Sequence, residues 1–280
     1  RPALAARANL AGLADIVGAR VLLVEDNEMN QEVARELLVD AGIHVDVAAD
    51  GAIGLEKLRT GTYDLVFMDM QMPVMDGLAA TRAIRAMSGY ERLPIVAMTA
   101  NAMVQDRERC LAAGMNDFLA KPIEPDQVWA CLARWIVPRA KQAGGTAGTD
   151  PTASRPEPPL PRGIDGLDIE EGLRHAAGKP SLYRSVLGKF VASEKTLAAS
   201  IREALAGGDV EAARRLAHTL KGTAGTVGAG ILRTQALSLE QAIAAGEAPD
   251  VVETHLARIE TTFRALAAAL ADGLDVGMKA

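Results

Sequence analysis

Apolar and polar positions follow two different rhythms along this chain. In the first half, short and fully apolar runs recur: VLLV at 21–24, LVFM at 65–68 and IVAM at 95–98, with weaker runs at 43–48 and 117–119. Between them lie segments of helical spacing, such as Val33 with Leu37, and Val128, Leu132 and Trp135. Strand-like runs are missing from the second half. Leu182, Val186, Phe190, Leu197, Ile201 and Leu205 keep a helical spacing, as do Val252, Leu256, Ile259, Phe263, Leu266 and Leu270. The two halves are separated by PRAKQAGGTAGTDPTASRPEPPLPRG at 138–163, which has almost no large apolar side chain to bury. Such a stretch reads as a flexible linker.

Fully apolar strands alternating with helices predict a parallel sheet covered on both faces. Five such units in about 120 residues fit a doubly wound, flavodoxin-like α/β domain. The second half predicts an antiparallel four-helix bundle, because its helical segments are broken only by short turns such as AGGD and AGEAPD. A short lead-in helix is expected near 168–176. The fold class is therefore α/β plus all-α, with a lead-in at 1–19, a first domain at 20–137, the linker at 138–163 and a second domain at 164–275.

Composition narrows the function. A net charge of −6 argues against non-specific nucleic-acid binding. Cys110 and Cys131 sit in no metal-binding pattern and read as reduced thiols of an intracellular protein. No apolar run reaches the roughly 18 residues of a membrane span, and no signal peptide is visible. The first residue is Arg1 rather than methionine, so the chain is expected to be a piece of something longer.

In an open α/β sheet, ligands bind beyond the carboxyl ends of the strands. Glu25 and Asp26 follow the first apolar run, Asp69 the second, Thr99 the third and Lys121 the last. Clustered carboxylates resist ionising, and a hard cation bound through oxygen relieves them. Mg2+ fits, since it takes one or two carboxylates plus waters and phosphate oxygens, and the lysine and hydroxyl suit a phosphoryl group bound beside it. Asp69, at the end of a central strand, is the natural nucleophile. Each residue also has a plainer reading: Asp26 with Asn27 could cap the next helix, Thr99 could cap another, and Lys121 could be solvated.

The segments LLVEDNEMNQ, DLVFMDMQMPVMDG, PIVAMTAN and GMNDFLAKPI closely resemble the receiver domain of two-component response regulators, over about residues 20–136. The resemblance implies that Asp69 is the phosphoacceptor. It implies that Asp26, Asp69 and the backbone carbonyl of Gln71 hold Mg2+, with Glu25 reaching it through water. Thr99 and Lys121 would bind phosphoryl oxygens, small Ala100 would leave room for them, and Phe118 would be a switch aromatic that packs inward when Thr99 moves. It further implies a cis Lys121–Pro122 bond. Gln71 and Asn101 would flank the line of attack.

The second half holds RRLAHTLKGTAGTVGAG at 214–230. On a helical wheel of about 100° per residue, Ala213, Leu216, Ala217, Leu220, Ala224 and Val227 form the core stripe. His218 points the other way, with Lys221, Gly222, Gly225, Arg214 and Arg215 around it. Glycine inside a helix costs about 1 kcal/mol relative to alanine. Gly222 and Gly225, on the histidine's own face, therefore imply bare backbone that another molecule approaches. Lys221 can neutralise an anion on the imidazole. The glycines do not form a phosphate loop, since no strand precedes them, and GLRHAAGKPS at 172–181 departs from P-loop spacing.

AHTLKGTAGTVGA, with LSLEQAI on the next helix, is similar to histidine phosphotransfer (Hpt) domains, over roughly residues 164–272. This implies that His218 is phosphorylated, that Lys221 stabilises the phosphoryl group and that Gly222 opens the surface for a partner. His44, His175 and His255 lack this setting. Together the modules resemble the C-terminal part of a hybrid sensor histidine kinase. The implied function is a two-component phosphorelay: Asp69 takes a phosphoryl group from the phosphohistidine of an upstream transmitter domain, and His218 passes it to a downstream response regulator. The chain would then be a magnesium-dependent phosphoprotein without an ATP-binding catalytic domain of its own, with no nucleic-acid or membrane contact by this segment. It would be cytoplasmic, or the cytoplasmic part of an inner-membrane sensor kinase. A phosphate drain, with reverse transfer and hydrolysis at Asp69, and a non-catalytic docking or dimerisation module are the alternative functions.

Overall fold

A computed structural model of the chain describes residues 14–100, 104–138, 160 and 163–276. The first domain contains β1 (Arg20–Val24), α1 (Glu28–Asp40), β2 (His44–Ala48), α2 (Gly51–Thr60), β3 (Leu65–Asp69), α3 (Gly77–Arg85), β4 (Ile95–Thr99), α4 (Val104–Ala113), β5 (Asp117–Ala120) and α5 (Pro125–Trp135). All strand pairs are parallel, in the order β2-β1-β3-β4-β5. This is the doubly wound arrangement that the alternating pattern predicts.

The apolar runs are strands because both of their faces are covered. Leu23 and Phe67 face one side, with Val33, Leu37 and Leu132. Leu22, Val24, Val66 and Met68 face the other, with Leu58 and Ile84. A period of two thus serves two cores rather than one core and solvent. Ile16, in the stretch set aside as a lead-in, is also buried in the first of these cores.

The second domain is α6 (Ile169–His175), α7 (Pro180–Ala206), α8 (Val210–Thr226), α9 (Gly230–Ala245) and α10 (Pro249–Val276). These are the expected four helices and their short lead-in. The bundle closes on Phe190 and Phe263, whose rings stack with centroids 4.7 Å apart. Asp209 caps α8 by accepting from the Ala212 backbone N–H at 2.9 Å. Of the expected linker, only residues 138, 160 and 163 are among those described.

The apolar cluster beneath α1 and α5 is continuous with the core of the bundle, joining Val33 and Leu132 to Tyr183, Phe190 and Leu220. Polar contacts flank this seam. His175 is buried, with Nδ1 3.1 Å from the Thr226 carbonyl oxygen and Nε2 3.2 Å from Glu124 Oε1. The Thr226 hydroxyl reaches Asn30 Oδ1 at 3.4 Å. No helix among the described residues is long and apolar enough to cross a membrane.

Candidate functional site: two clusters facing one cavity

Parallel strands deliver their carboxyl ends to a common edge. Register pairs Val24 with Met68, Asp69 with Met98 and Thr99 with Ala120, so Glu25, Asp26, Asp69, Thr99 and Lys121 follow one another across that edge. Carboxylate oxygens of Glu25, Asp26 and Asp69 lie within 4.8 Å of one another. Asn27, rather than Asp26, caps α1, accepting from the backbone N–H groups of Met29 and Asn30 at 3.0 and 3.1 Å. Asp26 is therefore not spent on capping. Asn30 Nδ2 donates to Glu25 Oε1 at 2.9 Å and fixes that carboxylate.

Lys121 supplies the cluster's nearest cation. Its Nζ is 2.6 Å from Glu25 Oε2 and 2.8 Å from Asp69 Oδ2. Burial works against its charge, but Asp69 and Glu25 hold it above the ordinary lysine value. One lysine does not balance three acids. Burial, reinforced by the charge of Glu25, pushes Asp69 up to about 7 and Asp26 up to about 6. A site whose carboxylates resist ionising while their oxygens converge fits a hard cation such as Mg2+.

Gly77, which sequence reasoning passed over, shapes the floor of this site. A Cβ there would fall inside the van der Waals shell of the Asp69 carbonyl oxygen, so only glycine lets α3 start this close to β3. The Gln71 backbone N–H donates to Asp69 Oδ1 at 3.3 Å. Thr99 is buried at the end of β4. Phe118 is partly buried, with the Arg107 guanidinium 5.5 Å from its ring centroid. The Lys121–Pro122 bond is cis. Asn101 lies outside the described residues.

On α8 the wheel separates the faces correctly. Ala213, Ala217, Leu220 and Ala224 are buried in the bundle, and Leu216 is partly buried. The expected exposure of the histidine face requires correction. His218's side chain is only 12% exposed, and Lys221, Gly222 and Gly225 are buried. The physical reason is that the first domain packs over this face. At Gly225 a Cβ would sit 3.5 Å from Pro122 Cδ, within ordinary contact of the neighbouring domain. Gly222 differs, because a Cβ there would meet nothing within 4 Å.

Glu240, on α9, is the residue missed. Its Oε1 lies 2.7 Å from His218 Nδ1 and its Oε2 lies 2.6 Å from Lys221 Nζ. An ionised carboxylate only accepts, so Nδ1 carries the proton and Nε2 keeps the lone pair. Lys221 Nζ stands 3.4 Å from Nδ1 and is held by Glu240. Burial lowers the His218 pKa, Lys221 and the more distant Lys121 lower it further, and Glu240 opposes them. The ring is therefore neutral near pH 7. No periodicity in the sequence reports which α9 side chain faces α8, so Glu240 was visible only as one letter of LSLEQAI.

The two clusters meet. A cavity of about 450 Å³ is lined by Gln71 and Thr99 from the first domain and by Arg215, His218 and Glu240 from the second. Arg215 also draws the Asp26 pKa downward across the seam.

The sheet topology, the strand-end cluster and the helix-borne histidine define a class: a receiver coupled to a phosphotransfer bundle. Family models agree, matching residues 21–133 to the response regulator receiver domain and residues 185–272 to the Hpt domain. The chain carries a receiver domain followed by an Hpt domain and is a phosphorelay module of the hybrid histidine kinase type. It is 35% identical over 258 residues to the sensor protein GacS of Pseudomonas syringae pv. syringae, covering 89% of this chain and 28% of that one. It is 31% identical over 236 residues to the signal transduction histidine-protein kinase BarA of Escherichia coli K12, covering 84% and 25%. The chain thus spans about a quarter of the length of these relatives. Among solved structures, the magnesium-coordinated receiver domain of sensor histidine kinase PA1611 from Pseudomonas aeruginosa PAO1 is 46% identical, covering 42% of this chain and 98% of that one, with a TM-score of 0.41.

Proposed function

We propose that Asp69 accepts a phosphoryl group from the phosphohistidine of an upstream transmitter and that His218 receives it and passes it to a downstream receiver. The observation that carries this reading is the shared cavity, which places a neutral imidazole opposite Thr99 and Gln71, at the strand-end edge to which Asp69 also belongs. In the internal step, the Nε2 lone pair attacks phosphorus, the bond between phosphorus and the Asp69 oxygen breaks, and the Asp69 carboxylate leaves with the electron pair. Lys121 and Thr99 hold the phosphoryl oxygens during transfer. Lys121, freed from part of its pairing with Asp69, follows the charge as it moves. Glu240 keeps the proton on Nδ1 and stabilises the imidazolium character that develops. Lys221, one helical turn from His218, stabilises the phosphoryl group once it is on the ring. Phe118 responds to movement of Thr99.

Asp26, Asp69 and the Gln71 carbonyl would hold Mg2+ directly, with Glu25 behind them through water. The ion supplies charge neutralisation for the phosphoryl oxygens. In this reading the domains span 20–137 and 164–275, with 138–163 as linker, and Gly222 and Gly225 belong to the surface that meets a receiver. The segment belongs on the cytoplasmic side of a sensor kinase, in keeping with the names of its relatives.

The test uses a phosphorylated transmitter domain as donor, with Mg2+ present. Asp69→Asn is expected to abolish labelling of the chain, whereas His218→Gln leaves an alkali-labile acyl phosphate on Asp69. The native chain gains an alkali-stable, acid-labile label on His218. Normal labelling of His218 in Asp69→Asn would overturn the order of transfer.

A further inference from the structure

The two domains are joined at the surface by a charge pattern that no step of the chemistry uses. Glu32, Glu36 and Asp40 stand one turn apart on the same face of α1. Lys179, the N-cap residue of α7, places Nζ 2.6 Å from both Glu36 Oε1 and Asp40 Oδ1. Lys189, further along α7, lies 2.8 Å from Glu32 Oε2. The start of α7 thus meets the end of α1, and the two helices run antiparallel. These side chains are half-exposed. Pairs of that kind add little affinity, but they steer encounter, fix register and penalise a partner of the wrong charge.

Any receiver that exchanges a phosphoryl group with His218 in this pose must bring the carboxyl edge of its sheet to α8. In this topology only three residues separate the last residue of β1 from the first of α1, so the first helix travels with that edge and comes to rest against α7. Lys179 and Lys189 then face it, whichever receiver it belongs to. We propose that the downstream partner of this Hpt domain is a receiver whose first helix carries acidic side chains at the positions equivalent to Glu32, Glu36 and Asp40. The proposal rests on the phosphorelay reading above and adds the chemistry by which the partner is selected.

Two versions of the full chain test it in trans. The donor carries Asp69→Asn and is loaded on His218 with phosphoramidate, which gives up its phosphoryl group and releases ammonia. The acceptor carries His218→Gln and is supplied with Mg2+. A reversed donor adds Lys179→Glu and Lys189→Glu; a reversed acceptor adds Glu32→Lys, Glu36→Lys and Asp40→Lys. The four pairings form a double-mutant cycle, in which effects confined to one chain cancel. Matched pairings are expected to transfer faster than mismatched ones, with a coupling of about tenfold or more at low salt that shrinks at high salt. A coupling of one overturns the proposal. No transfer between the native-surface pair would instead overturn the relay reading. In that event, distance labels at the exposed positions Glu56 and Thr254 of the unphosphorylated chain still decide the charge pattern. They should move apart in either single reversal and return in the combined one; labels unmoved by both single reversals overturn it.

Discussion

The Asp69 cluster and the His218 cluster lie close enough across the seam for Lys121 to act on His218 and Arg215 on Asp26, but they solve opposite charge problems. Around Asp69, three carboxylates crowd together and two of them share one lysine, while burial leaves Asp69 and Asp26 reluctant to ionise. Around His218, one carboxylate is matched by one lysine beside a neutral ring. The first cluster carries more negative charge than its lysine balances and fits an added hard cation such as Mg2+. The second is balanced by its own side chains. In the proposed relay, a phosphoryl group passing between them would leave a site suited to outside charge for one that carries its own.

The sharpest way to break this contrast is Lys121→Met. Glu25 and Asp69 would lose the ammonium group that touches both, in a setting where Lys121's side chain is only 7% exposed. Removing one partner of a buried ion pair is costly, by about 3–5 kcal/mol in comparable cases. Phosphoryl uptake at Asp69 should fall by roughly 100-fold or more, the scale seen when an electrostatic donor is removed. Thermal unfolding and initial labelling rates measure the two effects. Unchanged labelling would show that the lysine is only a structural counter-charge.

The corresponding change at the other cluster, Glu240→Ala, should be milder, because Glu240 acts through the ring rather than on the reacting atoms. For metal-ligating histidines, loss of the partner that orients the ring costs on the order of 10- to 100-fold, and that range serves as the scale here. The transfer rate to His218 should drop toward the lower end of that range, and Glu240→Gln should recover part of it, since an amide oxygen still accepts from Nδ1. Glu240 raises the His218 pKa, so its removal should lower that pKa further. An NMR titration of the ring distinguishes this from general damage to the bundle.

How far these sites were legible in the sequence follows from where each signal resides. The Asp69 cluster could be read because strand ends are punctuated by apolar runs, and parallel topology sends all of those ends to one edge. The core face of α8 could be read from its period. Coverage of the opposite face could not, because a wheel shows what one helix offers and says nothing about what docks on it. The same limit hid Glu240, whose role depends on how α9 sits against α8, and His175, which is buried at the seam between Thr226 and Glu124. Gly77 escaped for a different reason: its constraint is the proximity of the Asp69 carbonyl oxygen, which no local pattern reports.

A pH series separates the clusters by their direction. The folded His218 pKa lies below the ordinary imidazole value of about 6.5, with burial as the main cause. In that range the unfolded chain binds the proton first. The contribution of this group to stability is therefore complete above about 6.5 and is lost as pH falls toward the folded pKa. Acceptance at His218 should follow the same limb, because a protonated Nε2 has no lone pair to offer. The acid limb of the transfer rate should lie below pH 6.5 in the native chain and lower still in Glu240→Ala. An acid limb that does not move between the two would assign the titration to another group.

The smallest expected effects come from the two glycines, and they test what the histidine face is shaped for. Gly225 is in close quarters: an added Cβ would lie 3.4 Å from Arg233 Cδ and 3.5 Å from Pro122 Cδ. These are ordinary contact distances, so Gly225→Ala should fold normally and change transfer by no more than about twofold, with the helix gaining part of the roughly 1 kcal/mol that separates alanine from glycine. Gly222→Ala should gain the same propensity, and its methyl group enters space that the docked domains leave empty. If that space serves only the resting structure, the variant should be more stable and equally active. If it receives the phosphoryl group or lets the ring move during transfer, the variant should be more stable yet several-fold slower. Melting temperature and single-turnover transfer, measured on the same two proteins, separate those outcomes. The expected result is the second, because a buried helix position that forgoes alanine, with room for its methyl group, gives up stability that packing does not explain.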